Sequence, residues 1–183
     1  PEAFERTVKV YEEEFARQGI QDVFENIIGV VVQPGVEFGD ADVFQYDHAE
    51  ARELCGALKN HEGIVFEGHS TDYQTPDSLK QMVEDGIAIL KVGPALTYGL
   101  REGLFALSLI EKELIPEEKR ANFIDIMEDV MMEEPGNWKK HYHGTDEEKR
   151  QARKYSFSDR CRYYMTHEKV ESAIGKLFRN LDA

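Results

Sequence analysis

Three short apolar runs, each stopped by glycine or proline and each followed by a helical pattern, restrict what this chain can become more than any other feature. The first, NIIGVVVQ at 26–33, is almost continuous in β-branched residues and closes on Pro34 and Gly35. A run without polar alternation predicts a strand covered on both faces, the kind that parallel sheets contain. The second is Ile64 to Phe66, and the third is Ile87 to Val92, closed by Gly93 and Pro94. Asp47 predicts a helix cap for Asp47 to Leu58, whose Ala51, Leu54, Cys55 and Leu58 share one face. Thr75 before Pro76 predicts an N-cap and a first-turn proline, with the helix stopping at Gly86. After Pro94, Leu96, Leu100, Leu104, Leu107 and Leu114 predict a long helix with one apolar stripe. Strand and helix alternating across short turns predicts an α/β fold with a parallel sheet of three strand–helix units.

The flanks are helical. Phe4, Val8, Tyr11 and Phe15 recur at helical spacing and predict an amphipathic helix ending near Gly19, with that stripe in the core. Residues 37–42 read as an acidic loop. Beyond Ile115 no run reads as a strand. Pro116 to Met132 carries Phe123, Ile126, Met127 and Val130 at helical spacing, and Pro135, Gly136 and Asn137 break it. Trp138 to Gly144 is an aromatic and basic connector, Ser158 or Asp159 caps the turn that follows, and Glu168 to Leu181 is a final amphipathic helix. The expected division is therefore 1–115 for the strand–helix units and 116–183 for a helical extension.

Composition narrows the partners. The chain has 183 residues, 41% hydrophobic and 32% charged, a globular balance. Its 36 acidic residues against 22 basic ones give a formal charge of -14, which argues against nucleic acid or an anionic membrane as a partner. No apolar run has membrane-helix length. Cys55 and Cys161 form no CxxC spacing and read as small core groups in a reducing cytoplasm. The chain opens at Pro1 and runs straight into a helix, as expected of a piece of a longer protein.

Charged and polar groups gather where the second and third strands end: Glu67, His69, Ser70, Thr71, Asp72 and Lys91. Ligand and catalytic groups of α/β proteins collect at carboxyl ends of strands, which makes a sugar-phosphate or carboxylate site the expectation there. Glu67, His69 and Asp72 suit a divalent metal or acid–base work; the alternative is that His69, Ser70, Thr71 and Asp72 hydrogen-bond the backbone of a tight loop. Glu67 and His69 point the same way along a strand. Lys91, a charge in an apolar strand, fits a phosphate anchor, a Schiff-base lysine or an ion pair with Glu67. Gly93 at the head of a helix offers a backbone N–H to a phosphate. Other candidates read as structural: His141 and His143 on a loop beside Lys139 and Lys140, His48, His61 and His167 at the surface or at caps, and Arg160, Arg162, Tyr163 and Tyr164 packing on the acidic body or holding an anion.

Four motifs in order carry a family resemblance: VVVQPGVEF at 30–38, FEGHSTDYQT at 66–75, AILKVGPALTYGLREGLFAL at 88–107 and YSFSDRCRYY at 155–164. Together they resemble the non-catalytic subunit family of D-tagatose-1,6-bisphosphate aldolase, whose members have also been labelled tagatose 6-phosphate kinase. The resemblance covers nearly the whole chain. It implies the C-terminal part of a TIM-type (β/α)8 barrel with a helical extension. It also implies a cytoplasmic accessory role, supporting a catalytic class II aldolase subunit in galactitol or N-acetylgalactosamine catabolism. Three strands cannot close such a barrel, so exposed sheet edges and either aggregation or a need for further strands are expected.

A more distant similarity to the class II aldolases themselves bears on the metal. Those enzymes carry a zinc-binding histidine in an HGGSG-type turn and a KxNxDTD-type phosphate and substrate turn. Here Glu67 stands where the histidine would be, followed by Gly68 and His69; Lys91 is kept, Gly93 replaces the asparagine, and no histidine lies near Pro34 and Gly35. These departures impair a zinc site and suit a pseudo-enzyme. The implied candidates are a sugar-phosphate contact set of His69, Ser70, Thr71, Asp72, Lys91 and Gly93, and a divalent metal such as zinc on Glu67 and His69. A metal-dependent aldolase active on its own is the second reading. A kinase is the third, although no GxxxxGK[ST] loop is present.

Overall fold

The computed structural model describes residues 1–182. They divide into two compact units, one of residues 1–38 and 42–93, the other of residues 39–41 and 94–182.

The first unit is α/β. Its parallel sheet has the order β1 (Gly29–Val32), β4 (Val65–Gly68), β5 (Ile89–Leu90), with Gly29 opposite Val65 and Glu67 opposite Ile89. β2 (Glu37–Phe38) lies in the stretch 37–42 that the sequence read as a loop, and pairs antiparallel with β3 (Val43–Phe44) just beyond it. Strands that follow one another in a parallel sheet need crossovers, and α2 (His48–Ala57) and α3 (Pro76–Glu84) supply them. Both helices start where local chemistry dictates: the Asp47 carboxylate accepts the N–H groups of Ala49 and Glu50, and Thr75 accepts that of Ser78 ahead of Pro76. Gly86, at φ +94°, turns the chain after α3 into the third strand, a conformation a β-carbon would strain. α1 (Glu2–Arg17) sets Phe4 edge-on against Phe66 of β4, ring centroids 4.9 Å apart, in a core with Val8, Met82 and Ile87.

The second unit is helical: α4 (Ala95–Leu114), α5 (Phe123–Glu133), α6 (Asp146–Tyr155) and α7 (Glu168–Leu181). Leu104, Phe123, Met127, Val130, Tyr164 and Leu177 are among its core residues. No helix among the described residues is long and apolar enough to cross a membrane.

Several sequence expectations are corrected. The run at 26–33 begins in a 3-10 turn, Gln21–Asn26, and only 29–32 is strand. β1 is the sheet's edge, and Val31 is 54% exposed rather than covered on both faces. Tyr11 of α1 is likewise exposed. In α4 the inward face is Arg101, Leu104, Phe105, Ser108 and Glu111, while Leu96, Leu100 and Leu114 face outward. Charge pairing selects this face: Arg101 Nε donates to Asp159 Oδ1 at 2.8 Å with both side chains buried, and Glu111 Oε1 accepts the Ala121 N–H at 2.8 Å. Buried charges are tolerated only with such partners. The helix expected from Pro116 starts at Phe123, because 117–119 form a 3-10 turn and Asn122 sits in the left-handed region at φ 54°.

Candidate functional site

The carboxyl ends of β1, β4 and β5 are bound into one framework. The His69 N–H donates to the Val32 carbonyl at 3.0 Å, and the Lys91 N–H donates to the Gly68 carbonyl at 2.9 Å. From the loop after β4, the Thr71 hydroxyl donates to the Lys91 carbonyl at 2.8 Å. Asp72 accepts the Gly93 N–H with both carboxylate oxygens, at 2.9 and 3.1 Å. Within that loop Ser70 and Tyr73 hold positive φ, 58° and 62°, although neither is glycine. Strained backbone of this kind persists where surrounding contacts over-determine it and gathers at functional sites. Phe38 packs edge-on against Tyr73, centroids 5.3 Å apart, and Gln45 Nε2 donates to the Tyr73 carbonyl at 3.3 Å.

The framework sorts the sequence candidates. Thr71 and Asp72 are buried, and with the Gly93 N–H they hold the loop to the segment after β5. Glu67, His69 and Ser70 are half-buried, and Lys91 is exposed. His69 Nε2 lies 2.8 Å from Glu67 Oε1. An ionised carboxylate can only accept, so in this pair Nε2 is the donor. Glu67 is therefore engaged by His69, and Lys91 makes no ion pair with it. The Gly93 N–H, expected at a phosphate, is held by Asp72.

Two donors from Glu67 and His69 stand together, and no third histidine, cysteine, aspartate or glutamate joins them among the described residues. Catalytic zinc takes three protein ligands. The residues of this chain do not fit a zinc centre by themselves.

Outside this site, His61 bonds Glu5 and stacks edge-on with Phe4, and His167 caps α7 by accepting the Lys169 N–H. His48 Nδ1 and the Tyr46 hydroxyl both meet Asp85 Oδ2 at 2.7 Å. Burial and the Asp85 carboxylate push the Tyr46 phenol well above its ordinary pKa. Burial first, then Asp159, does the same to the Cys161 thiol, which is a core group as expected. Arg162 donates to the carbonyls of Ser158 and Asp159 rather than to an acidic surface. The Asp159 side chain takes Arg101 and the Thr97 hydroxyl instead of capping a helix.

Residues 1–183 match the family described as D-tagatose-1,6-bisphosphate aldolase subunit GatZ/KbaZ-like. The chain belongs to this family. As a GatZ/KbaZ-like chain it is also similar to a solved structure, the crystal structure of a probable tagatose 6 phosphate kinase from Sinorhizobium meliloti 1021. The two are 49% identical with a TM-score of 0.97, over 100% of this chain and 47% of that one. This chain thus spans about half the length of that relative.

Proposed function

We propose that this GatZ/KbaZ-like chain is part of a non-catalytic accessory subunit that supports a catalytic class II aldolase acting on tagatose 1,6-bisphosphate. The observation that carries the reading is the state of the strand-end site. Its loop is framed by Thr71, Asp72 and Gly93, yet its ionisable pair, Glu67 and His69, is closed on itself and has no third metal ligand among the described residues. A frame without a metal donor set suits binding and support better than enediolate chemistry. In this reading His69, Ser70 and Lys91 contact a sugar phosphate, Lys91 as the point charge for the phosphate. Thr71, Asp72 and Gly93 position them.

The rest of the reading is of one piece with this. The three parallel strands, with residues 1–115, form the C-terminal units of a TIM-type barrel, and 116–183 form its helical extension. The setting is cytoplasmic galactitol or N-acetylgalactosamine catabolism. One observation favours a second reading, a metal-dependent ketose-bisphosphate aldolase: His69 is oriented by a carboxylate, as metal-binding and proton-transferring histidines are. A kinase reading finds no GxxxxGK[ST] loop in these residues.

The test is tagatose 1,6-bisphosphate cleavage by the chain alone, with zinc and other divalent ions supplied. The accessory reading expects no turnover above that of the ions. Metal-dependent turnover that His69→Ala abolishes would establish the aldolase reading in its place.

A further inference from the structure

A second cluster of polar groups lies in the helical unit, outside the strand-end site, and it concentrates positive charge in a chain of formal charge -14. Trp138 and Tyr142 anchor the connector 138–144: both are buried, their rings stack with centroids 6.5 Å apart, and Trp138 Nε1 donates to the Met131 carbonyl at 2.6 Å. With those two rings inward, Lys139, Lys140 and His143 are left exposed and His141 half-buried. The Tyr142 hydroxyl accepts the Arg160 N–H at 3.3 Å, and Arg160 Nη1 donates to the Asn137 carbonyl at 3.1 Å. These bonds stitch the Arg160 turn to the connector.

The cluster is short of acceptors. Arg160 Nε is buried and has no hydrogen-bond partner among the described residues. Nor does any of Lys139, Lys140, His141, His143 and Arg160 form an ion pair among them. The neighbouring carboxylate, Asp40, accepts the hydroxyls of Ser156 and Ser158 on Oδ1 at 2.8 and 2.7 Å and pairs with none of these cations. Partial loss of solvent, then the charges of Arg160 and Lys140, hold the His141 imidazole below its ordinary pKa against the pull of Asp40. An unpaired buried guanidinium nitrogen beside further cations leaves donor capacity and positive charge uncompensated.

We propose that Arg160, with His141, His143 and Lys140, binds a phosphate group. The guanidinium fork matches phosphate oxygens, and the imidazoles and the ammonium supply further donors to a dianion. A polyanion such as nucleic acid is disfavoured, because a few cations on a strongly acidic chain cannot offset its long-range repulsion. This inference does not rest on the accessory-subunit reading.

The test is a titration of the full chain at low ionic strength, with inorganic phosphate and separately with a ketose 6-phosphate, following the imidazole resonances by NMR. Saturable shifts at His141 and His143, absent at His61, are expected with at least one of them. The tighter of the two names the source of the phosphate. Arg160→Gln should weaken binding about tenfold or more, the scale of one charged hydrogen bond, while Lys80→Gln, the same charge change on α3, should not. Far-UV circular dichroism establishes that Arg160→Gln folds; if it does not, the His141 and His143 shifts decide alone. No saturable shift with either phosphate, or equal binding by a folded Arg160→Gln, overturns the proposal.

Discussion

Asp72 receives the Gly93 backbone N–H on both carboxylate oxygens, at 2.9 and 3.1 Å, and so ties the loop after β4 to the segment after β5. Asp72→Ala removes the acceptor of a part-buried N–H, which costs roughly 1 kcal/mol. For a chain of this length the melting temperature should fall by about 2–4 °C per kcal/mol. Differential scanning calorimetry of the variant checks it, and an unchanged transition would show that the tie is dispensable.

Lys91 should behave oppositely. It is exposed and carries no ion pair among the described residues, so Lys91→Gln should change stability by no more than about 0.5 kcal/mol. Binding of a ketose phosphate at the strand ends should weaken about tenfold or more with the lost charge. Calorimetric unfolding and binding on the same sample separate the two effects.

Gly68 closes β4 in a space without room for a side chain. An added Cβ would lie 2.8 Å from Ile87 Cγ2 and 3.4 Å from both Met82 Cε and Thr71 Cγ2. Gly68→Ala should therefore destabilise by about 1–3 kcal/mol through overpacking, seen as a lower denaturation midpoint at unchanged m-value.

Arg101 and Asp159 form a buried pair in the helical unit. Removing one partner strands the other, and Asp159→Ala should cost about 3–5 kcal/mol. Urea denaturation measures it; a loss under about 1 kcal/mol would mean that water reaches Arg101 when its partner is gone.

Acid should loosen the start of α6. The Thr145 N–H and hydroxyl, at 2.7 and 2.8 Å, hold the Glu148 carboxyl below its ordinary pKa. His61 lowers Glu5 and Lys169 lowers Glu133 in the same direction. A carboxylate with a depressed folded pKa stabilises above its unfolded pKa of about 4.3, and that contribution is lost as pH falls through the folded value. The melting temperature should fall below about pH 4.5, and Glu148→Gln should flatten part of that fall.

The α/β alternation was legible because its signals are local: Asp47 and Thr75 cap the helices they were expected to cap, and Gly86 stops α3 where expected. The face of α4 was not legible. Its leucine stripe satisfies helical periodicity, whereas the inward face is set by Asp159, more than fifty residues away in sequence. α6 was missed although the capping box of Thr145 and Glu148 marks its start, because its charged surface gives little apolar periodicity. At the strand ends the residue types were visible and a loop-framing role was one of two readings, but not which residues would take it: Thr71 and Asp72 turn inward to frame the loop, and Glu67 is taken by His69. Only folded geometry distinguishes a framing carboxylate from a ligand.

The accessory role is tested most directly by titrating a catalytic class II tagatose-bisphosphate aldolase subunit with this chain and following cleavage of tagatose 1,6-bisphosphate. The account predicts a saturable rise above the activity of the catalytic subunit alone. A flat titration in which the folded chain neither binds the catalytic subunit nor raises its turnover would contradict it.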